Sequence, residues 1–192
     1  MNDFSKYCDN KTIAIIGNSS KLLNNKFGKI IDEHDIVVRM NHAPKFSKAY
    51  ATSVGAKTDI ISYGLSRLDI AKQISNMCNP LYNLFLIRCN GPIKDPSVYN
   101  GFKNPIHGTI EEYKELKEKF NSFKPSTGAV TINFFIKNTN FKKINLYGFD
   151  FFNSSSKITK NEFGSYNYKD HDPLLERDYI NSILSDNIII NY

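Results

Sequence analysis

Ile13-Ala14-Ile15-Ile16-Gly17-Asn18-Ser19-Ser20 is the stretch on which the fold turns. A short apolar run closed by Gly, Asn and two Ser reads as a buried strand entering a polar turn, with a helix expected over about Lys21 to Ile31. Working outward, Ile36 to Met40 is a second strand, Ile60-Ile61 a third, Leu84 to Ile87 a fourth and Ile144 to Tyr147 a fifth, while Ile188 to Ile190 suits a late edge strand. Asp69 to Met77, Ile110 to Phe120, Thr127 to Lys137 and Leu174 to Leu184 place apolar residues at helical spacing. Strands and helices in alternation predict an α/β protein: a single Rossmann-like domain over residues 1–192, its mostly parallel sheet covered by helices on both faces. Ligands in such sheets sit at the carboxyl ends of the strands. The turns Gly17 to Ser20, Asn41 to Pro44 and Gly148 to Asp150 are therefore expected on one rim, with 93–108 and 153–169 as acceptor-side or lid loops.

The 192 residues suffice for one sizeable core, and 41% hydrophobic content with 14 Phe and 11 Tyr fits a packed protein. No run approaches the ~18 apolar residues of a membrane span, and the polar opening lacks the features of a secretory signal. The net charge of +6 raises the question of nucleic acid. The lysines are scattered among Glu and Asn, so a solvated face, or one that attracts an anionic donor, acidic glycan or lipid surface, fits better. Cys8, Cys78 and Cys89 show neither metal-ligand spacing nor a disulfide framework, and reduced thiols in a cytoplasmic protein are expected.

Three segments carry chemistry. Gly17, Asn18 and Ser19 follow a strand and, on this reading, open a helix, where backbone N–H groups and the helix dipole favour an anion; a plain capped turn explains them equally well. Ser126, Thr127 and Gly128 repeat the arrangement before an apolar helix, with a glycine that lets backbone approach a phosphate closely. His171, five residues before Glu176, supplies an imidazole able to take a proton from an alcohol. A lone histidine is more often structural, and His34, His42 and His107 keep that reading.

Side by side, these segments resemble the sialyltransferases of glycosyltransferase family 29. Ile13 to Ser19, Gly28 to Asp32, His34-Asp35, Val38 to Asn41, Ala43-Pro44 and Val54 to Thr58 are similar to the family's large sialyl motif. Pro125 to Gly128, through Leu146 to Phe149, looks like the small motif. Tyr166-Asn167-Tyr168 resembles the third, and His171 with Glu176 the very small one. The resemblance implies the sialyltransferase variant of the GT-A fold and an inverting, metal-independent transfer of sialic acid from CMP-sialic acid to a glycan or glycolipid hydroxyl. It implies His171 as general base, with Tyr168 donating to the departing phosphate and Glu176 beside them. Gly17, Asn18, Ser19, Asn41, Ser126, Thr127, Gly128, Gly148 and Phe149 would hold the donor. No cofactor and no metal are implied.

Animal members pair cysteines at positions matched here by Ile13 and Phe141, and a histidine common in the third motif is absent near Ser165 and Tyr166. Lacking the anchor and stem of Golgi members, the chain is expected to be a compact bacterial or viral type, or a truncated one. A cytoplasmic location follows on this reading, with peripheral association at the inner face of a membrane compatible with the basic surface. Two other readings compete: a transferase using CMP-Kdo or a related 2-keto sugar acid, and a non-catalytic CMP-sugar-binding module. Nucleic-acid binding ranks last, because it leaves the ordered motifs unexplained.

Overall fold

A computed structural model describes residues 3–64, 68–86, 96–151 and 171–192. The chain runs α1 (Asp3–Cys8), β1 (Thr12–Ile16), a 3-10 turn (Ser20–Asn24), α2 (Gly28–Asp32), β2 (Ile36–Met40), α3 (Pro44–Ser47), α4 (Ala51–Val54) and β3 (Ile60–Tyr63). It continues with α5 (Leu68–Cys78), β4 (Tyr82–Phe85), a 3-10 turn (Pro96–Tyr99), β5 (Pro105–His107), α6 (Ile110–Lys119), α7 (Thr127–Asn138), β6 (Lys143–Tyr147), α8 (Pro173–Ile183) and β7 (Ile188–Asn191). The seven strands form one sheet in the order β5-β4-β3-β2-β1-β6-β7, and every pairing is parallel.

Alternation along β1 shows why both faces need helices. Ile13 and Ile15 enter an apolar cluster with Phe4 of α1, Leu116 of α6, Ile132 and Phe135 of α7, and Ile180 of α8. Ala14 and Ile16 point the other way, to Leu22, Ile31 and Val54. Further along that face Ile61, Tyr63 and Phe85 meet Ala71 and Ile74 of α5. Strands buried on both sides carry continuous apolar runs, as expected of a parallel sheet. Ile13 is fully buried, and Phe141 packs against the same cluster, so the two positions matched to the animal cysteines lie in one apolar region. Cys8 and Cys78 are free thiols, with the buried Cys8 pushed up to about 12 by desolvation. Cys89 lies outside the described residues.

Chain order reverses at β1. From it the chain steps outward to β5, then returns to add β6 and β7 on the other side. Loops leaving β1 and β6 therefore diverge, opening a crevice at the carboxyl ends of these strands where α/β sheets hold ligands. β1 and β6 align Ile16 with Tyr147, which sets Gly17 against Gly148.

Two expectations need correction. The helix expected from Lys21 to Ile31 is instead a short 3-10 turn, an extended Asn25 and the one-turn α2. Gly28 explains the restart: a Cβ there would lie 1.8 Å from the Ala51 carbonyl oxygen, so α2 sits directly against α4 and is set by that packing. The segment 93–108 is also more than a loop. Its described part, 96–108, contains a 3-10 turn and the edge strand β5, whose opening proline is tolerated because it begins an edge strand. The loop expected over 153–169 lies outside the described residues.

Candidate functional site

The rim at the β1/β6 switch is built from glycines pressed against one aromatic ring. Gly17 N donates to the Tyr147 carbonyl at 2.7 Å and Ser19 N to the Gly148 carbonyl at 3.2 Å. A Cβ on Gly17 would stand 2.3 Å from the Gly148 oxygen and 3.2 Å from Phe149 Cδ2. On Gly128 it would meet Phe149 Cε1 at 2.8 Å. Gly148 itself adopts φ +69°, a left-handed conformation that glycine reaches without strain. Gly17, Gly128, Gly148 and Phe149, named separately from sequence, thus form one contact group.

These contacts make a graded prediction. Gly17→Ala collides with rigid backbone and is expected to cost about 3 kcal/mol in urea denaturation, whereas Gly128→Ala meets a ring that can shift and should cost about 1 kcal/mol. Equal losses would show that the backbone at Gly17 yields to a methyl group as readily as the Phe149 ring does.

Asn41 ties a second part of the rim to the helix start. It ends β2 at φ +50°, its Oδ1 accepts from Gly64 N at 2.9 Å, and its Nδ2 donates to Thr127 Oγ1 at 3.3 Å. Asn18 completes this side: its Oδ1 is buried with no hydrogen-bond partner among the described residues. A buried amide oxygen without a donor is costly, so a ligand hydroxyl or amine is the natural complement. This residue matters more than expected. The turn after β1 leads into the 3-10 segment, so no α-helix dipole stands behind Gly17 to Ser19, and anion attraction at this end rests on local groups.

α7 does provide a true helix start. Ser126 caps it, its Oγ accepting from Ala129 N at 3.1 Å. That hydroxyl donates in turn to Glu176 Oε1 at 2.6 Å, and Ser126 N donates to Glu176 Oε2 at 3.2 Å. Glu176 is buried in the first turn of α8, and both its oxygens grip Ser126. Its geometry is that of a group positioning the head of α7, where sequence resemblance had set it beside the catalytic base.

His171 lies just before α8. Its Nδ1 stands 2.5 Å from the Lys124 carbonyl oxygen. A carbonyl only accepts, so Nδ1 carries the proton and Nε2 is the basic nitrogen. Lys124 is followed by Pro125, the extended Ser126 and the first residues of α7, so residues 124–128 join the candidate base to the Glu176, Asn41 and Phe149 contacts. Tyr168 lies outside the described residues, as do Ser165 and Tyr166. His34 bonds through Nδ1 to the Ile30 carbonyl at 2.9 Å, and His107 stacks in an aromatic group with Phe85 and Tyr99, its pKa lowered by burial. His34 also packs edge-on against the Tyr147 ring, at 5.8 Å between centroids.

A cavity of about 290 Å³ adjoins the glycine contacts. Ser19, Gly148 and Phe149 form one wall, and Lys21, Arg177 and Asn181 face it from the 3-10 turn and α8. Sequence reading missed the α8 contribution, because only the fold brings residues after His171 round to the β1 turn. Among the described residues no group of three or more His, Cys, Asp or Glu is placed to hold a metal ion, and no helix is long and apolar enough to cross a membrane.

A parallel α/β sheet with its polar turns at the switch point defines a Rossmann-like class of fold. Residues 5–79 match the model of glycosyltransferase family 29 (sialyltransferase), and over that stretch the chain is similar to this family. The Beta-1,6-galactosyltransferase GALT29A of Arabidopsis thaliana is 45% identical over 47 residues, 24% of this chain and 11% of that protein. The CMP-N-acetylneuraminate-beta-galactosamide-alpha-2,3-sialyltransferase 1 of Gallus gallus is 38% identical over 74 residues, 38% of this chain and 21% of the relative. A crystal structure of a mammalian sialyltransferase in complex with Gal-beta-1-3GalNAc-ortho-nitrophenol superposes with a TM-score of 0.61 at 22% identity, covering 95% of this chain and 69% of that one. The curated relatives are thus matched over a small part of their length, and the solved structure shares the fold.

Proposed function

We propose that the chain is an inverting glycosyltransferase that moves sialic acid from CMP-sialic acid to a glycan or glycolipid hydroxyl. The carrying observation is the run 124–128. It fixes the tautomer of His171 at one end, through the Lys124 carbonyl, and at the other presents Thr127 and Gly128 beside Asn41 and Phe149. A proton acceptor and a nucleotide-phosphate cradle held by five consecutive residues suit a reaction in which deprotonation and leaving-group departure are coupled.

In this reading the CMP moiety spans the switch-point crevice. Asn18 Oδ1 accepts from a ribose hydroxyl, and Asn41, Ser19 and the start of α7 surround the phosphate, with Gly128 allowing close approach. Gly17, Gly148 and Phe149 shape the wall along which the nucleotide lies. His171 Nε2 removes the acceptor proton as the anomeric carbon develops oxocarbenium character. One base opposite one leaving group gives inversion. Preorganised N–H donors stabilise the departing phosphate, the task a metal performs in other transferases, with Tyr168 as a further donor. Glu176 holds Ser126, and so α7, in register.

The donor sugar is the finer question, since the similar proteins include both a galactosyltransferase and a sialyltransferase. The test is CMP release from CMP-sialic acid and CMP-Kdo in parallel, in EDTA, with a panel of acceptor glycans. Release from CMP-sialic acid at least tenfold faster than from CMP-Kdo supports the reading. The reverse preference assigns a Kdo-type donor, dependence on added Mg²⁺ or Mn²⁺ removes the metal-free mechanism, and tight CMP binding without turnover identifies a binding module. A cytoplasmic site of action with peripheral attachment to anionic membranes is part of the same proposal, and co-sedimentation with phosphatidylserine vesicles tests the attachment.

A further inference from the structure

Two exposed apolar residues lie close in sequence to the two partners of the hydrogen bond that orients His171. Phe123 immediately precedes Lys124, whose carbonyl accepts from Nδ1, and Leu174 lies three residues past His171 in the first turn of α8. They are 41% and 60% exposed. Neither dangles. Asn121 and Ser122, at φ +47° and +70°, turn the chain sharply out of α6, with Ser122 N donating to the Lys117 carbonyl at 3.1 Å and Phe123 N to the Phe120 carbonyl at 2.8 Å. Asp172 Oδ1 accepts from Leu174 N at 2.9 Å and Leu175 N at 3.1 Å, fixing the other side.

One left-handed residue suffices to end a helix, and glycine or asparagine is the usual choice. Two in succession, the second a serine, carry strain that an ordinary connection avoids. What the turn achieves is to place an aromatic ring in solvent, one residue from the carbonyl that orients the base. A general base must come within about 2.6–3.2 Å of the hydroxyl it deprotonates, so the rest of that sugar ring falls within one ring's width of His171. A pyranose presents an apolar C–H face of about a phenyl ring's size, and the negative face of an aromatic ring attracts such hydrogens.

We infer that Phe123 is the stacking platform for the acceptor's pyranose ring, with Leu174 bounding it. This rests on His171 being the base. The platform would select acceptors by the face their reactive sugar turns to the protein, a specificity separate from that for the donor.

Saturation-transfer NMR on the CMP-loaded chain tests it, using the methyl β-glycosides of galactose, glucose and N-acetylgalactosamine. At least one should bind, with saturation concentrated on the C–H protons of one face. Phe123→Ala should weaken that binding about tenfold, Phe123→Tyr should restore it, and Leu174→Ala should weaken it about threefold. Both positions are exposed, so folding is not at risk, and CMP affinity serves as the check. Equal affinity of Phe123→Ala and the wild type, or no binding of any glycoside to the wild type, overturns the platform. Sugar binding that depends on Phe123 in a chain whose turnover survives His171→Ala would sink the base and leave the platform standing.

Discussion

His171→Ala lowers acceptor-dependent CMP release by about a thousandfold while leaving CMP affinity and thermal stability near the wild type. The magnitude is that of a positioned general base, roughly 10²–10⁴-fold. The control is meaningful because His171 is half-buried just before α8, with its Nδ1 on the Lys124 carbonyl. Removing the ring leaves the Ser126–Glu176 clamp in place. The pH profile gives an independent readout. A base acts in its neutral form, so wild-type activity falls as acid protonates Nε2, and that acid limb should vanish from the residual rate of the variant. A variant retaining a tenth or more of the activity would move the base to another group.

Much of this site was legible as residue types but not as connections. Gly17 and Gly128 could be named from the turns they sit in, and Gly148 and Phe149 from the resemblance to the small motif; only the fold shows that Gly17 and Gly128 approach the same Phe149 ring. Strand positions read well because parallel strands buried on both faces leave continuous apolar runs. α7 did as well, since Ser126 and a nine-residue buried stretch mark its start and course. The helix expected from Lys21 failed for a tertiary reason: α4 dictates where α2 begins. β5 escaped notice because three residues opening with proline carry little strand signal, and it exists by adding to the β4 edge. Glu176 was named through the resemblance of its segment to the very small motif, and the sequence carries no sign of its contact with Ser126, which lies 50 residues earlier and is brought to the first turn of α8 by the fold. Arg39 drew no separate attention at all, because a charged residue inside Val38 to Asn41 reads as one polar position of a motif rather than as a buried strut.

Removing that strut is expected to produce the largest stability loss of any substitution away from the sheet's apolar core. Arg39 lies mid-strand in β2 and is 1% exposed. Its Nε donates to the Lys57 carbonyl at 3.0 Å and to Thr58 Oγ1 at 3.1 Å, and the terminal nitrogen donates to the carbonyls of Val54 at 2.7 Å and Gly55 at 3.0 Å. The other side of that loop is held by Asp32, whose carboxylate accepts from Ala56 N at 2.9 Å and Lys57 N at 3.0 Å. Residues 54–58 are therefore gripped from both sides, a cation serving their carbonyls and an anion their N–H groups. Burial pushes the guanidinium down to about 10, which still leaves it charged at neutral pH. The sign follows: the unfolded chain binds that proton more tightly, so burial of the charge weighs against folding at neutral pH and is relieved only as pH rises from about 10 into the ordinary guanidinium range. The four hydrogen bonds must more than offset this. Arg39→Ala leaves three carbonyls without donors and a cavity beside them, and should cost about 4 kcal/mol in urea denaturation, a large share of the ~5–15 kcal/mol of a typical domain. Arg39→Lys keeps the charge but cannot span the same acceptors, and should lose about half as much. Because Asn41 lies two residues along the strand and links Gly64 to Thr127, weakened CMP binding should accompany the loss in both variants. An Arg39→Ala protein within 1 kcal/mol of the wild type would mean that water replaces the guanidinium at those carbonyls, and that the loop is held by Asp32 alone.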